Sequence, residues 1–467
     1  MVKEIDNISL WIMVLFVCSA FTENYDTWSY STNITINTTA SGAGVSGVVL
    51  NFPLLIRLNN SNFDFSQAMS NGNDIRFSKS DISQHLFYER ERWSLTASDS
   101  SAEFWVLCDT VFGNSNTQYI KMYWGKTVTI DSSSASAVFD TGNNFSAVWH
   151  LNEDGNEAAL DATSANNDGT ANSFTTSSDV SGVIGIAREF DGTDDYFQIN
   201  NDIIKDVLSG GNGKITLSFW VKANKTDYNK PLIWEGNASG DGCGTEEEFN
   251  LFFGACPQGS TIDDHISLYY GDNDDNANNG NMVHVSEVYS DTVTWHHAAV
   301  SVDNSNGTSE TAILYVDGVP VDTSTGKVQS EFNGWDTNTR IGCPGIDHSQ
   351  RFFDGILDEV RIANDLRSPD WIRLSYESQK TGQSVTEVNQ LSVPIISSHP
   401  QSDTVALNDP VQFTVSTTGN PQPKYRWMKD GAIIAGETME TLSIPSVSAT
   451  DEGVYNAIAT NASGSDT

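Results

Sequence analysis

Short runs of β-branched and aromatic residues, separated by turn-forming residues, fill almost the whole chain. In residues 214–222, for example, Ile215, Leu217 and Phe219 alternate with residues that face the other way. A half-buried strand shows this period of two, whereas an amphipathic helix repeats every 3.6 residues. Long stretches of helical periodicity are nearly absent, so the sequence predicts an all-β fold.

Length and charge limit the number of domains and the kinds of partner. A chain of 467 residues, at about 150 residues per domain, predicts three domains in series. The 24 Lys and Arg residues against 61 Asp and Glu residues give a net charge of −37. A protein this acidic repels phosphate backbones, which argues against nucleic acid as a partner.

The N-terminal segment is predicted to be a signal peptide over residues 1–22. Lys3 precedes an apolar run at residues 10–17, and the small residues Ser19 and Ala20 follow it. The run is too short to cross a bilayer, which needs about 20 apolar residues. We therefore expect a secreted or cell-surface protein, with no membrane span in this segment.

Residues 24–130 are predicted to form a first β-domain. This segment resembles a domain of unknown function from secreted bacterial proteins through Trp28, Tyr30 and the runs at 51–58, 71–77 and 120–126. The resemblance implies a β-sandwich and no activity.

The largest segment, residues 138–380, contains several strand motifs, among them residues 147–153, 190–199 and 352–362, and a two-residue hairpin at Asp317-Gly318. In this order the motifs resemble the laminin-G-like, concanavalin A-like jelly-roll family. The resemblance implies a second β-sandwich, whose rim loops often bind calcium and then sugars or protein ligands.

A helix is predicted to close this domain at residues 369–379. Ser368 is a suitable N-cap, Pro369 fits the first helical position, and Trp371, Leu374 and Ser375 form the face expected to dock.

Residues 381–392 are predicted to be a linker, and residues 393–467 resemble an immunoglobulin domain through Trp427 and Tyr455. Val415 and Ala457 occupy the positions where that family pairs two cysteines. The segment also stops before a final strand, so we expect the natural protein to continue beyond Thr467.

Three aspartates are candidate metal ligands. Alternation places Asp195 on the face of Phe197, and Asp358 among core aliphatics; Asp161 follows an earlier strand. A buried carboxylate needs a compensating partner, which predicts Ca²⁺ or, alternatively, backbone N–H groups or arginines. If the site exists, Asp195 and Asp358 should lie close together.

Trp220 is the candidate ligand-binding residue, because alternation puts its ring opposite the jelly-roll core, where a sugar could stack on it. The alternative is that a loop or neighbouring domain covers that face. Trp234, Trp335, Tyr269 and Tyr270 are weaker candidates of the same kind.

Of the five cysteines, Cys18 lies in the predicted signal peptide, and the remaining four permit two disulfides in an oxidising compartment. Cys243 and Cys256 bracket a short Gly-rich excursion and are the favoured disulfide. Cys343 is an alternative partner, and Cys108 is as easily a free buried thiol as a bridged one.

No catalytic motif is present: the sequence lacks a nucleophile elbow, HExxH, a phosphate loop and the Glu-x-Asp-x-x-Glu motif of jelly-roll glycosidases. We therefore expect a non-enzymatic adhesion or binding protein whose jelly roll takes carbohydrate or an extracellular protein. The alternatives are an accessory region of a larger polysaccharide-degrading enzyme and a stalk without a ligand.

Overall fold

The structure is a computed structural model. It describes residues 24–467 except positions 83, 97–98, 128, 211, 225–229, 237–247, 254–264, 272–281, 290, 306–308, 327–334, 336–337, 346–350, 389–391, 421–422 and 462–463. Antiparallel sheets dominate the described residues, which confirms the all-β fold. The predicted signal peptide lies outside them.

The first β-domain contains the strands β1 (Tyr30–Ile36), β2 (Val49–Asn59), β3 (Arg76–Lys79), β4 (His85–Leu86), β5 (Tyr88–Ser94), β6 (Ser101–Val111) and β7 (Gln118–Trp124), and it is completed by β23 (Thr386–Val388) from beyond the jelly roll. These strands form two sheets, with the orders β23-β1-β7-β3-β4 and β2-β6-β5. Short 3-10 turns lie at Tyr25–Thr27 and Phe65–Gln67, and a one-turn helix, α1 (Ala135–Val138), follows the last strand.

The jelly roll has an eight-stranded sheet, ordered β10-β11-β22-β13-β18-β19-β20 with β8 beside β22, and a seven-stranded sheet, ordered β17-β16-β15-β14-β21-β12-β9. The first contains β8 (Phe145–Trp149), β10 (Asp179–Ser181), β11 (Ile186–Asp191), β13 (Lys214–Ala223), β18 (His296–Asp303), β19 (Glu310–Val316), β20 (Val319–Gly326) and β22 (Asp354–Ala363). The second contains β9 (Gly169–Asn172), β12 (Tyr196–Ile199), β14 (Lys230–Gly236), β15 (Glu248–Phe253), β16 (His265–Gly271), β17 (Met282–Val288) and β21 (Arg340–Ile341).

The remaining jelly-roll elements are a 3-10 turn (Thr141–Asn143), α2 (Ile203–Lys205), a π-helical turn (Asp206–Gly210) and α3 (Pro369–Gln379). The α3 helix has the bounds that the sequence predicts. The Ser368 hydroxyl accepts a hydrogen bond from the Trp371 N–H at 3.1 Å, and Trp371, Leu374 and Ser375 are buried. The Asp317-Gly318 turn joins β19 to β20 with positive φ at both positions, as the hairpin signal requires.

A β-bulge in β22 corrects the predicted orientation of Asp358. The register with β13 shifts by one residue between Asp358 and Arg361, and Glu359 has a φ of +56°. The bulge makes Leu357, and not Ile356, share the core with Val360 and Ile362. Asp358 consequently points away from the core that alternation predicted for it.

The chain returns to the first domain after α3. A three-residue strand, β23 (Thr386–Val388), pairs antiparallel with Ile34–Ile36 of β1, and the apolar side chains of Val385 and Val388 are buried. The segment predicted to be a linker at 381–392 therefore contains an integral strand of the first domain. Because the two valines are buried, this stretch packs on the first domain and is not a flexible linker.

The first domain and the outer face of the jelly roll's eight-stranded sheet share a hydrophobic core, which is separate from the core between the jelly roll's own two sheets. A single cluster contains Leu54 and Trp105 of the first domain together with Phe139, Trp220 and Trp371 of the second segment. The Trp371 ring meets Phe52 edge-on, with centroids 5.3 Å apart. Two sequence families thus form one packed unit.

The last segment is an immunoglobulin-like sandwich formed by β24 (Ser392–Ser398), β25 (Val411–Thr414), β26 (Ser416–Asn420), β27 (Lys424–Lys429), β28 (Ala432–Ile433), β29 (Thr441–Ile444), β30 (Tyr455–Asn461) and β31 (Gly464–Asp466), with a 3-10 turn at Ala449–Asp451. Trp427, Val415 and Ala457 are buried together, so packing replaces the disulfide of the family. The Tyr455 hydroxyl donates to the Asp451 carbonyl at 2.7 Å, which is the expected tyrosine corner.

Candidate binding sites

Trp220 is covered and offers no ring to a ligand. Its side chain is 2% exposed, its Nε1 donates to Gln379 Oε1 at 2.7 Å, and Tyr376 lies 5.7 Å from its ring centroid. Helix α3 therefore occupies the outer face of β13. The sequence placed the ring correctly outside the jelly-roll core, but the expectation that a sugar stacks there is corrected, because a neighbouring element fills that space.

Arg57 of β2 fastens the first domain to the same helix. Its Nη2 donates to the Gln379 carbonyl at 2.6 Å and to the Val183 carbonyl at 2.9 Å, while Glu103 lies 3.4 Å from Nε. A cation among the last carbonyls of a helix complements the negative end of its dipole. The contact closes the interface on one side of Trp220.

A second polar cluster crosses the interface around His150, which follows β8. Its Nδ1 lies 2.8 Å from Glu359 Oε1, and its Nε2 lies 3.2 Å from Glu89 Oε2 of the first domain. Trp105 Nε1 donates to Glu91 Oε2 at 3.2 Å. All of these side chains are at least largely buried, so the charges meet away from bulk water.

The cluster strongly shifts the pKa values of its members. Burial by itself lowers the pKa of His150, but the carboxylates of Glu359, Glu91 and Glu89 more than reverse this and raise it well above its usual value. Burial raises the pKa of Glu91 to about 8. One oxygen or nitrogen atom from each of Glu89, Glu91 and His150 lies within 4.8 Å of the others. Because both ring nitrogens already face carboxylates, the cluster is an imidazolium held between acids.

Sequence reasoning missed this cluster. Its only signal was the pair Glu89 and Glu91, which occupy alternate positions of one strand and so share a face. Nothing in the sequence indicated that His150, more than fifty residues later, would meet that face.

Asp358 lies at the same interface and is held by a loop before β11. Its Oδ2 accepts hydrogen bonds from the N–H groups of Val183 at 2.8 Å and Ile184 at 3.0 Å. A Cβ at Gly182 would lie 2.5 Å from that oxygen, so only glycine lets the loop wrap so closely. Burial raises the pKa of Asp358 well above its usual value, which favours the neutral acid over a metal-binding carboxylate.

Asp161 is fully engaged in shaping its own loop. Its two oxygens accept from the N–H groups of Val148, Thr163 and Asn167, and from the Thr163 hydroxyl, at 2.8–3.0 Å. Four donors occupy the carboxylate. This agrees with the alternative in which backbone N–H groups, and not Ca²⁺, compensate the burial of Asp161.

Asp195 lies in a separate acidic turn between β11 and β12. Its Oδ2 accepts from the Asp191 N–H at 3.0 Å, and oxygens of Asp191, Asp194 and Asp195 lie within 4.8 Å of one another. Burial, together with the two neighbouring carboxylates, raises the pKa of Asp195 to about 6. The predicted meeting of Asp195 with Asp358 is wrong: each has its own backbone donors, and within the described residues no metal-type cluster contains both.

The two cysteines that the structure describes are buried and form no disulfide. Burial raises the pKa of the Cys108 thiol to about 12, and Arg340 Nη1 lies 4.0 Å from Cys343 Sγ. Cys243 and Cys256 lie outside the described residues, so their disulfide stays a prediction.

The outer face of the seven-stranded sheet carries a row of polar and aromatic side chains. Their neighbours in sequence, such as Phe197, Leu268 and Tyr270, point into the core, so the row itself points outward. In register across the sheet, the row is Gln198, Arg340, Trp234, Asn250, Tyr269 and His284.

Stacked rings organise one end of this row. Tyr269 lies between Phe252, at 5.5 Å and 10°, and His284, at 4.4 Å and 15°. His284 is exposed and Tyr269 is half-buried. Trp234 is buried beneath Gly345, where a Cβ would come within 2.1 Å of the indole. The accessible end of the row is therefore Tyr269 with His284.

Three family descriptions match the chain in the expected order. "Domain of unknown function (DUF2341)" matches residues 71–152, "Concanavalin A-like lectin/glucanases superfamily" (Laminin_G_3) matches 191–373, and "Immunoglobulin domain" matches 393–461. The first match extends through His150 and so crosses the shared interface.

Similar curated proteins cover parts of the chain. Human Roundabout homolog 3 is 35% identical over 78 residues, 15% of this chain and 6% of its own length. Endoglucanase C of Cellulomonas fimi is 28% identical over 149 residues, 30% of this chain and 13% of its own length. The chain thus spans a small fraction of either relative.

Among solved structures, the Ruminococcus gnavus IT-sialidase CBM40 bound to α2,3 sialyllactose shares 15% identity over 41% of this chain and 96% of its own, with a TM-score of 0.32. A Trypanosoma rangeli sialidase shares 15% identity over 50% of this chain and 33% of its own, with a TM-score of 0.33. Among the described residues, no helix is long and apolar enough to span a bilayer. The chain joins, in series, a DUF2341 segment, a concanavalin A-like, laminin-G-like domain and an immunoglobulin domain.

Proposed function

We propose that this chain belongs to a secreted or cell-surface adhesion protein whose jelly roll binds carbohydrate, or an extracellular protein, on the outer face of the seven-stranded sheet. The observation that carries the proposal is the outward row ending at Tyr269 and His284. The outer face of the eight-stranded sheet is not available to a ligand at Trp220, because α3 and the first domain cover that residue.

The chemistry of the row suits a sugar. Aromatic rings offer apolar edges and faces to the C–H groups of a pyranose, and the exposed imidazole of His284 can hydrogen-bond its hydroxyl groups. Binding sites of this kind combine an apolar platform with a few fixed polar groups. The relatives in the concanavalin A-like lectin family and the endoglucanase C match agree with a carbohydrate ligand.

A glycan array of the full chain, with a Tyr269→Ala/His284→Ala variant, tests the proposal. We expect wild type to bind at least one glycan class and the variant to lose about tenfold or more in affinity, since an aromatic contact and a hydrogen bond contribute roughly 1.5 kcal/mol or more. His399→Ala, an exposed histidine of the immunoglobulin domain, is the matched control and should bind like wild type.

Equal binding by the double variant and wild type would place the site elsewhere. A cooperative thermal transition must show that the double variant is folded, as expected because both side chains lie outside the core between the sheets.

Calcium is part of the same proposal, at the acidic turn of Asp191, Asp194 and Asp195. Hard carboxylate oxygens suit Ca²⁺, and the crowding of the three carboxyl groups adds to the effect of burial in raising the pKa of Asp195. We expect added Ca²⁺ to raise the melting temperature of wild type, EDTA to reverse the shift, and Asp195→Asn to abolish it. A melting temperature indifferent to both reagents would remove calcium from the proposal.

A second candidate function is that of an accessory region in a polysaccharide-degrading enzyme, favoured by the similarity to endoglucanase C over 149 residues. In either case we propose that the chain itself is not catalytic. A reducing-sugar assay on cellulose should stay at background, and a catalytic domain encoded beyond Thr467 would select the accessory role over adhesion.

A further inference from the structure

A cleft of about 730 Å³ lies between the first β-domain and the immunoglobulin domain, away from the jelly-roll face discussed above. Its first wall is the outer surface of β1 and β7, where Ser31 is opposite Tyr123 and Lys121 lies two residues further along. Tyr30 and Trp28 border this wall.

The second wall is the outer surface of β27 and β30. Arg426 is opposite Ile458 and Lys424 is opposite Thr460, so both cations leave the sheet on the same face. Lys424 and Arg426 are exposed, whereas Trp427 between the sheets is fully buried. The cleft thus brings cations from two domains to one space.

The charge of this cleft is opposite to that of the protein. Three cations and one carboxylate, Asp26, line it, in a chain with 24 basic and 61 acidic residues. Lys126 adds a fourth cation nearby, 3.9 Å from the centroid of the Trp28 ring. Among the described residues, no carboxylate oxygen lies within 4.0 Å of Lys121, Lys424 or Arg426.

Three neighbouring cations without carboxylate partners are unexpected where acids outnumber bases so heavily. Like charges held together repel each other unless a counter-charge joins them. The arrangement therefore fits a ligand that brings its own negative charges. Because the Debye length is about 8 Å at physiological salt, the distant acidic surface is screened from a ligand in the cleft.

We propose that this cleft binds an acidic polysaccharide, a chain whose sugar units carry carboxylate or sulfate groups. Lys121, Lys424 and Arg426 pair with its anionic groups, and the partly exposed Tyr30 supplies aromatic surface for a sugar ring. Hydroxyl and amide groups of Ser31, Thr460 and Asn461 line the same cleft and match the sugar hydroxyls. A purely acidic peptide such as polyglutamate would use the cations but has no ring to stack on Tyr30.

Isothermal titration of the full chain with hexagalacturonate at about 0.15 M salt tests the proposal, with maltohexaose as the neutral sugar and hexaglutamate as the acidic peptide. We expect binding of hexagalacturonate only. Lys424→Ala/Arg426→Ala should weaken it by about tenfold or more, and Lys121→Ala by several-fold, since each removes a charge-assisted contact. Lys222→Ala, a cation of the jelly roll, is the matched control.

Each other outcome overturns a defined part of the proposal. No binding of hexagalacturonate by wild type, or equal binding of maltohexaose, removes the acidic-sugar site. Tighter binding of hexaglutamate replaces the sugar by a peptide. If Lys424→Ala/Arg426→Ala weakens the binding of hexagalacturonate and Lys121→Ala does not, the first domain contributes no cation to the site and the two-domain cleft is ruled out. The Tyr269→Ala/His284→Ala variant should bind hexagalacturonate like wild type, so failure of the jelly-roll site and failure of this one are distinguishable.

Discussion

His150 and Glu91 are titratable side chains buried where little water reaches, and the free energy of the interface depends on their protonation. The imidazolium lies between Glu359 of its own domain and Glu89 of the first domain, so Glu89 adds to the compensation of its charge only while the domains stay packed. Glu91 differs from His150, because burial favours its neutral form and not its charged form. A single proton added or removed in this cluster therefore changes the free energy of the interface.

Stability should fall as pH rises. The folded pKa of His150 lies above its unfolded value, so its contribution is complete below about pH 6.5 and is lost as pH rises through the folded pKa. Glu91, with a folded pKa of about 8, favours folding at low pH and loses that contribution between about pH 4.5 and 8. We expect urea unfolding to show a loss on the order of a few kcal/mol between pH 5 and 9.

Glu91→Gln is the matched variant, because it keeps the shape of the side chain and removes the titration. It should match wild type near pH 5 and lose less stability at pH 9. Asp195 and Glu235, whose pKa values burial raises to about 6 and about 7, act in the same direction, so part of the slope remains. Identical slopes for variant and wild type would contradict the role given to Glu91.

At the scale of elements, the sequence predicted the features that depend on neighbouring residues, such as the start of a helix and a hairpin turn. Ser368 and Pro369 set the start of α3, and the Asp317-Gly318 pair set a hairpin. The bulge at Glu359 was not predictable, because a glutamate gives no sequence signal for positive φ. The cover over Trp220 depends on how domains pack, which alternation within one strand does not contain.

Strand β23 shows the same limit, since three residues are too few to carry a pattern. Val385→Asp should lower the stability of the shared unit by about 3 kcal/mol or more, because it buries a charge without a partner. Urea unfolding of the full chain measures the loss. Glu387→Ala, exposed on the same strand, is the control and should change stability little. An unaffected Val385→Asp variant would restore the predicted linker.

At the scale of the molecule, three sequence families form two packed bodies. The first domain and the jelly roll share a core, a helix and two polar clusters, and the chain crosses between them again at β23. This fusion covers the outer face of one sheet of the jelly roll, and the proposed binding face lies on the other sheet. The immunoglobulin domain keeps its own small core and contributes one wall of the basic cleft.

Differential scanning calorimetry of the full chain, compared with a Trp371→Ala variant, tests this fusion most directly. We predict two transitions for wild type, the larger covering the first domain and the jelly roll together. Removing the indole that packs on Phe52 costs about 3–5 kcal/mol and should shift the whole larger transition downward while the immunoglobulin transition stays in place. Three independent transitions, or a shift confined to the jelly roll, would contradict the shared core and the covered face.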